Sequence, residues 1–226
     1  MEQSAAAMDE PISARVKPRL RGVMHQYAFF ASLIAGPALV LTAETPRAMA
    51  AAAIYGFSLS GLLGASALYH RVTWTPRARF WMARLDLSMI FLLIAGSYTP
   101  IALLALHPPL GTVVLWAVWI AAAAGILLKI LWANPTKAAS ALVYVTMGSL
   151  GAFLMPAIAH TAGLAPVSLL AGGGVLYIAG AAVYAFQRPD PLPAVFGYHE
   201  IFHSLVVAAA ALHYVAMAGY VLRLSA

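Results

Sequence analysis

Three histidines, one aspartate and one serine in this sequence have the types and spacing to build a metal centre. His199-Glu-Ile-Phe-His203 carries two imidazoles four residues apart, a spacing that puts both on one face of a helix. Ser66-Ala-Leu-Tyr-His70 repeats the interval with a hydroxyl and a third imidazole. An i, i+4 histidine pair supplies two nitrogen ligands from one rigid element, and a third must come from elsewhere; His70 is the candidate. Three nitrogens leave a coordination position open, as in catalytic zinc sites. Asp86 can orient a bound water or take its proton, and Ser66 can hydrogen-bond around the centre.

Plainer readings stand beside these. A histidine pair near an interface can simply be solvated, and Asp86 can pair with Arg84 or another nearby arginine. A serine in a membrane helix often bonds its own backbone. The stretch from His199 also fits H-E-x-x-H, in which the Glu is the general base of a zinc protease. Intramembrane proteases of that kind add a distal Asp ligand, and no acidic residue follows His203 in this sequence.

The elements that must position these groups follow from composition. Of 226 residues, 63% are hydrophobic and 9% charged, where a soluble domain carries about a quarter charged residues. The solvent for most of the chain is therefore lipid. There is no cysteine, so disulfides and thiolate metal sites are excluded. Apolar runs broken by proline or charge predict an all-α fold, a seven-transmembrane helical bundle with spans near 23–42, 48–69, 80–104, 110–131, 137–159, 166–186 and 198–221. The breaks fall at Pro46, Pro76, His107-Pro108-Pro109, Asn134-Pro135 and the segment from Arg188 to Pro193. Residues 1–22 read as a cytoplasmic N-terminal tail, with a disordered start, and 23–226 as the transmembrane domain. A cleaved signal peptide is disfavoured, because the first apolar stretch exceeds the usual length of roughly 7–15 residues.

Basic residues set the orientation. Arg15, Lys17, Arg19 and Arg21 precede the first span; Arg71, Arg77, Arg79 and Arg84 lie between the second and third. Lys129 and Lys137 flank the next such connection, and Arg188 the last, which leaves only Arg47 and Arg223 of the 13 basic residues opposite. By the positive-inside rule the rich side is cytoplasmic and the C-terminus lies outside. The end of the second span and the starts of the third and seventh then share the cytoplasmic side, so His70, Asp86, His199 and His203 lie at similar depth. The +6 formal charge is thereby a matter of membrane orientation, and no nucleic-acid partner is expected. His25, His107 and His160 read as interface residues at other helix ends. His213, about 15 Å deeper than His203, either lines the same cavity or is a hydrogen-bonded core histidine. Trp74, Trp81 and Trp132 read as interfacial anchors. Gly56, Ser60 and Gly64, and the run Gly172-Gly173-Gly174, read as tight helix packing.

The segments Ser66–Trp74, Asp86, Ile90–Pro100 and His199–His203, with His213, resemble the bacterial haemolysin III family, within the progestin and adipoQ receptor family that includes the adiponectin receptors. The resemblance covers nearly the whole chain. It implies a seven-helix bundle with a cytoplasm-side zinc held by His70, His199 and His203, with Asp86 and Ser66 beside it. A wider likeness to the alkaline ceramidases implies zinc-assisted amide hydrolysis on a lipid. Zinc over iron or manganese comes from this resemblance, since three histidines suit several metals. Many members have His after the Asp, where this chain has Leu87, and Glu200 receives no catalytic role.

The resulting expectation is a multi-pass protein of the cell (inner) membrane, acting as a zinc-dependent hydrolase of an acyl-amide or related lipid that enters between helices. Alternatives are a receptor-like sensor of membrane state with structural zinc, or a cytolytic protein; nothing in the sequence supports pore formation by a secreted toxin. A channel or transporter is disfavoured, because apart from His213 no ionisable residue lies near the middle of a span.

Overall fold

The computed structural model describes residues 17–131 and 136–224; the expectations for the first 16 residues, for Trp132 and for the Asn134-Pro135 break fall outside them. Seven helices long and apolar enough to cross a membrane run through the described residues: α1 Val23–Leu41, α2 Pro46–Arg71, α3 Pro76–Ala105, α4 Leu110–Leu131, α5 Lys137–Ala162, α6 Leu164–Phe186 and α7 Tyr198–Arg223. Among these residues strand pairing is limited to one isolated bridge, Leu192 with Phe196. The chain is all-α and a multi-pass membrane protein.

Two of the prolines taken as breaks are helix starts. Thr45 and Thr75 each precede a proline at the first helical position, and their hydroxyls accept from the N–H of Ala48 at 3.1 Å and of Ala78 at 3.4 Å. Proline there loses no helical bond, and threonine caps a free donor. α2 and α3 therefore begin before the 48 and 80 read from the apolar runs. Asp86 therefore sits well inside α3 and not at its opening, while keeping the expected depth beside His70. α3 ends in a π-helical stretch, Ile101–Ala105, directly after Pro100, which has no N–H to give. α5 is α-helical over Lys137–Ser149, tightens to a 3-10 turn at Leu150–Leu154 and resumes over Met155–Ala162.

Each helix packs on its chain neighbour and α7 returns to α1, closing a ring with α2 and α3 the most enclosed. Small residues permit the closest approaches. A Cβ on Gly56 would stand 3.1 Å from the Gly36 backbone of α1, and one on Gly64 would strike the Phe29 ring at 2.8 Å. In the triple-glycine run only Gly173 is tightly confined, against His213 and Ala209; Gly174 faces open space. His213 has its Nε2 3.1 Å from the Leu170 carbonyl, so it is a hydrogen-bonded histidine of the α6–α7 contact.

Hydrogen bonds between segments distant in sequence gather the connections at one end of the bundle. The N–H groups of Arg19 and Leu20 donate to the carbonyls of Ala194 and Val195, before α7. Lys17 donates to the Arg71 carbonyl at the end of α2, and Lys137 at the start of α5 to the Tyr198 hydroxyl. At the opposite end Arg47, His107, Thr161 and Arg223 line a single cavity. Lys129, expected near the end of the fourth span beside the connection that follows, is buried rather than solvated. It is 2% exposed within α4 and donates to Ser140 Oγ at 2.7 Å.

Candidate metal centre

α2 carries His70 one residue before its end, and α7 carries His199 and His203 on its first turns. Each offers one ring nitrogen, and these atoms all lie within 4.8 Å of one another. His70 Nε2 and His199 Nε2 are 3.1 Å apart. Two nitrogens bound at about 2.0–2.1 Å to one tetrahedral ion would be about 3.3 Å apart, so this pair needs little movement to share an ion. All three side chains are buried, and His203 Nδ1 has no hydrogen-bond partner. A neutral imidazole buried in this way suits a metal ligand far better than a charged side chain. The donor set can hold a metal ion.

From α3, Asp86 brings Oδ2 to 3.8 Å from His70 Nε2, and Ser66, buried on α2, stands beside the Asp86 carboxyl group. Arg84, the alternative partner for Asp86, turns away instead. Its guanidinium lies over the Phe80 ring, and its Nε donates to the Ile130 carbonyl at 3.4 Å. The five residues singled out by type and spacing thus meet from three helices.

Glu200 lies between the two α7 histidines in sequence but not in role. Its Oε1 accepts from Arg21 Nε at 2.5 Å and its Oε2 from the Gly197 N–H at 2.9 Å, with the side chain 1% exposed. Both oxygens are engaged in capping α7 and tying it to the segment before α1, so the protease role for this Glu has no support here. Arg21→Ala is expected to lower stability by about 2–4 kcal/mol, because a buried carboxylate loses its partner. Glu200→Gln, which removes the charge as well, should cost less and leave metal binding intact. Thermal unfolding in detergent, with metal analysis, checks both.

His25 is the residue that sequence reasoning missed. Expected at the interface, it is 3% exposed, and its ring stacks on His203 with centroids 3.9 Å apart and planes 3° from parallel. Gly22 allows this. Its φ is +79°, and a Cβ there would stand 2.6 Å from His70 Cβ, so the chain enters α1 pressed against the end of α2. By contrast His107 and His160 are exposed at the far end of the bundle. Around the three histidines Lys17, Arg21, Arg71 and Arg79 form a cationic rim. Burial, and then the charges of Arg71, Arg79 and Arg21, hold the Lys17 ammonium below its ordinary pKa.

With this geometry in hand, relatives decide the family. The sequence matches the family described as haemolysin-III related over residues 13–214. The chain belongs to the haemolysin III family. It is 34% identical over 178 residues to Hemolysin-3 of Bacillus cereus, covering 79% of this chain and 78% of that protein. It is 33% identical over 176 residues to the human monocyte to macrophage differentiation factor, covering 75% of this chain and 70% of that protein. The Hemolysin-3 homolog of Bacillus subtilis is 34% identical over 158 residues, 70% of this chain and 71% of the homolog. Bacterial haemolysin III proteins and a relative from the progestin and adipoQ receptor group thus align with the same chain.

Proposed function

We propose that this haemolysin III protein is a zinc-dependent hydrolase of a membrane lipid carrying an acyl-amide or related bond. The metal centre and N-terminus would face the cytoplasm across the cell (inner) membrane. One observation carries the reading: three buried histidines converge from two helices with a carboxylate 3.8 Å from one of them. Three protein nitrogens leave room for a fourth, non-protein ligand.

His70, His199 and His203 would hold the ion. Zinc bound there supplies a Lewis acid that polarises a carbonyl and brings the pKa of a coordinated water towards about 7. Asp86 takes the proton released by the attacking water and returns it to the departing amine, while Ser66 orients the Asp86 carboxylate. The hydroxyl ends on the acyl carbon as the C–N bond breaks, so water is added across the amide. A lipid entering between helices would bring its headgroup-proximal bond to this depth, and the cationic rim of Lys17, Arg21, Arg71 and Arg79 would attract anionic headgroups. The asymmetry of basic residues supports the cytoplasmic placement.

A second reading keeps the metal structural, in a receptor-like sensor of membrane state. The convergence of the three histidines from α2 and α7 favours it, because an ion held there would pin the two helices together. Reconstitution with a fluorescent N-acyl lipid separates the two. The hydrolase releases fatty acid, stops on chelation and resumes on adding zinc; a structural site binds zinc and releases none.

A further inference from the structure

We propose that His25 is a further binding residue of this site, hydrogen-bonding the non-protein ligand at the position that His70, His199 and His203 leave open. This rests on the reading of those three as metal ligands. Water and a substrate carbonyl offer that position the same chemistry, an oxygen able to share a hydrogen bond with an imidazole.

Unmet polarity points there first. Four buried side-chain polar atoms among the described residues meet no partner at ordinary hydrogen-bond geometry, and three of them are His25 Nδ1, His25 Nε2 and His203 Nδ1, His25 having only the His203 backbone nearby. Buried polar atoms are almost always paired in folded proteins, so such a concentration marks a missing partner. A stacking role alone does not need nitrogen: a phenyl ring would fill the same space with nothing left unpaired.

The parallel stack then decides between ligand and hydrogen-bonding neighbour. An imidazole nitrogen binds a metal along its lone pair, which lies in the ring plane. A metal held by His203 would therefore have to meet that ring along an in-plane lone pair, whereas His25 lies in a plane 3° from parallel to it, with centroids 3.9 Å apart. Van der Waals contact keeps the two planes roughly 3.5 Å apart. Its nitrogens are then too far from such a metal for a bond of about 2.0–2.1 Å. They remain within reach of an oxygen standing off the metal towards α1, at ordinary hydrogen-bond distance. Gly22, bare of side chain and in the left-handed region, is what lets the chain bring α1 close enough for this ring to reach the site.

The test uses full-length protein in detergent, loaded with cobalt, and acetohydroxamate as the probe of the open position. Cobalt absorption reports binding without any turnover. His25→Phe, which keeps the ring, should retain one cobalt per chain and bind acetohydroxamate about tenfold more weakly, the effect of one lost hydrogen bond. His25→Gln should recover part of that affinity. Unchanged affinity in His25→Phe overturns the proposal and leaves packing alone; loss of cobalt in His25→Phe overturns it in favour of a fourth ligand. If His25→Phe does not fold, His25→Leu is read in the same way. Wild-type protein that binds no cobalt removes the metal reading itself, an outcome visible before any His25 variant is measured.

Discussion

Asp86→Ala is expected to abolish lipid hydrolysis while leaving metal content and thermal unfolding close to wild type. The carboxylate approaches His70 at 3.8 Å, too far for a strong hydrogen bond and well placed to exchange protons with a group beside the metal. It caps no helix and has no arginine partner among the described residues. Its removal should therefore touch chemistry before structure. General acid–base catalysis contributes roughly 10²–10⁴-fold, so fatty-acid release should fall by at least two orders of magnitude. Asp86→Asn, nearly the same shape, should fall as far. Ser66→Ala, which only frees the carboxylate to reorient, should fall less. Measuring release and metal content on the same preparations checks the set; loss of metal in Asp86→Ala would show the carboxylate to be a ligand.

His70→Ala is expected to remove the stabilisation that zinc gives to the folded protein. His70 is the sole α2 member of the three-histidine group, so an ion bound there ties α2 to α7. A ligand that binds only the folded state adds RT ln(1 + [L]/Kd), about 4 kcal/mol when zinc is a thousandfold above Kd. Added zinc should raise the unfolding temperature of wild type by several degrees, and that of His70→Ala by little. An undiminished zinc shift in His70→Ala would remove His70 from the ligand set.

The features legible in the sequence are mostly those encoded within one helix. Apolar length gave the spans, and α4 was placed end to end because charge or proline bounds it at both ends. The i, i+4 spacing placed His199 and His203 on one face, and alternation of basic residues placed His70 near them. Starts were misread where threonine caps a proline, since Thr45-Pro46 and Thr75-Pro76 begin their helices ahead of the apolar runs. Apart from the small-residue approaches at Gly56 and Gly64, contacts between helices left no such trace. His25 looked like an interface residue because nothing local announces a ring stacked across from α1 to α7. Gly22 was the available signal, as a lone glycine just before a helix whose positive φ sets the entry angle. The burial of Lys129 was not legible because its Ser140 partner lies on another helix. Glu200 stayed undecided until Arg21, far away in sequence, took one of its oxygens.

Elemental analysis of detergent-purified wild-type protein, beside the His199→Ala/His203→Ala double variant, bears most directly on the central claim. About one zinc per chain in the wild type, lost in a double variant that remains folded, is the predicted result. Folded wild type prepared with zinc present and carrying no metal would contradict the account, and the hydrolytic mechanism would fall with it.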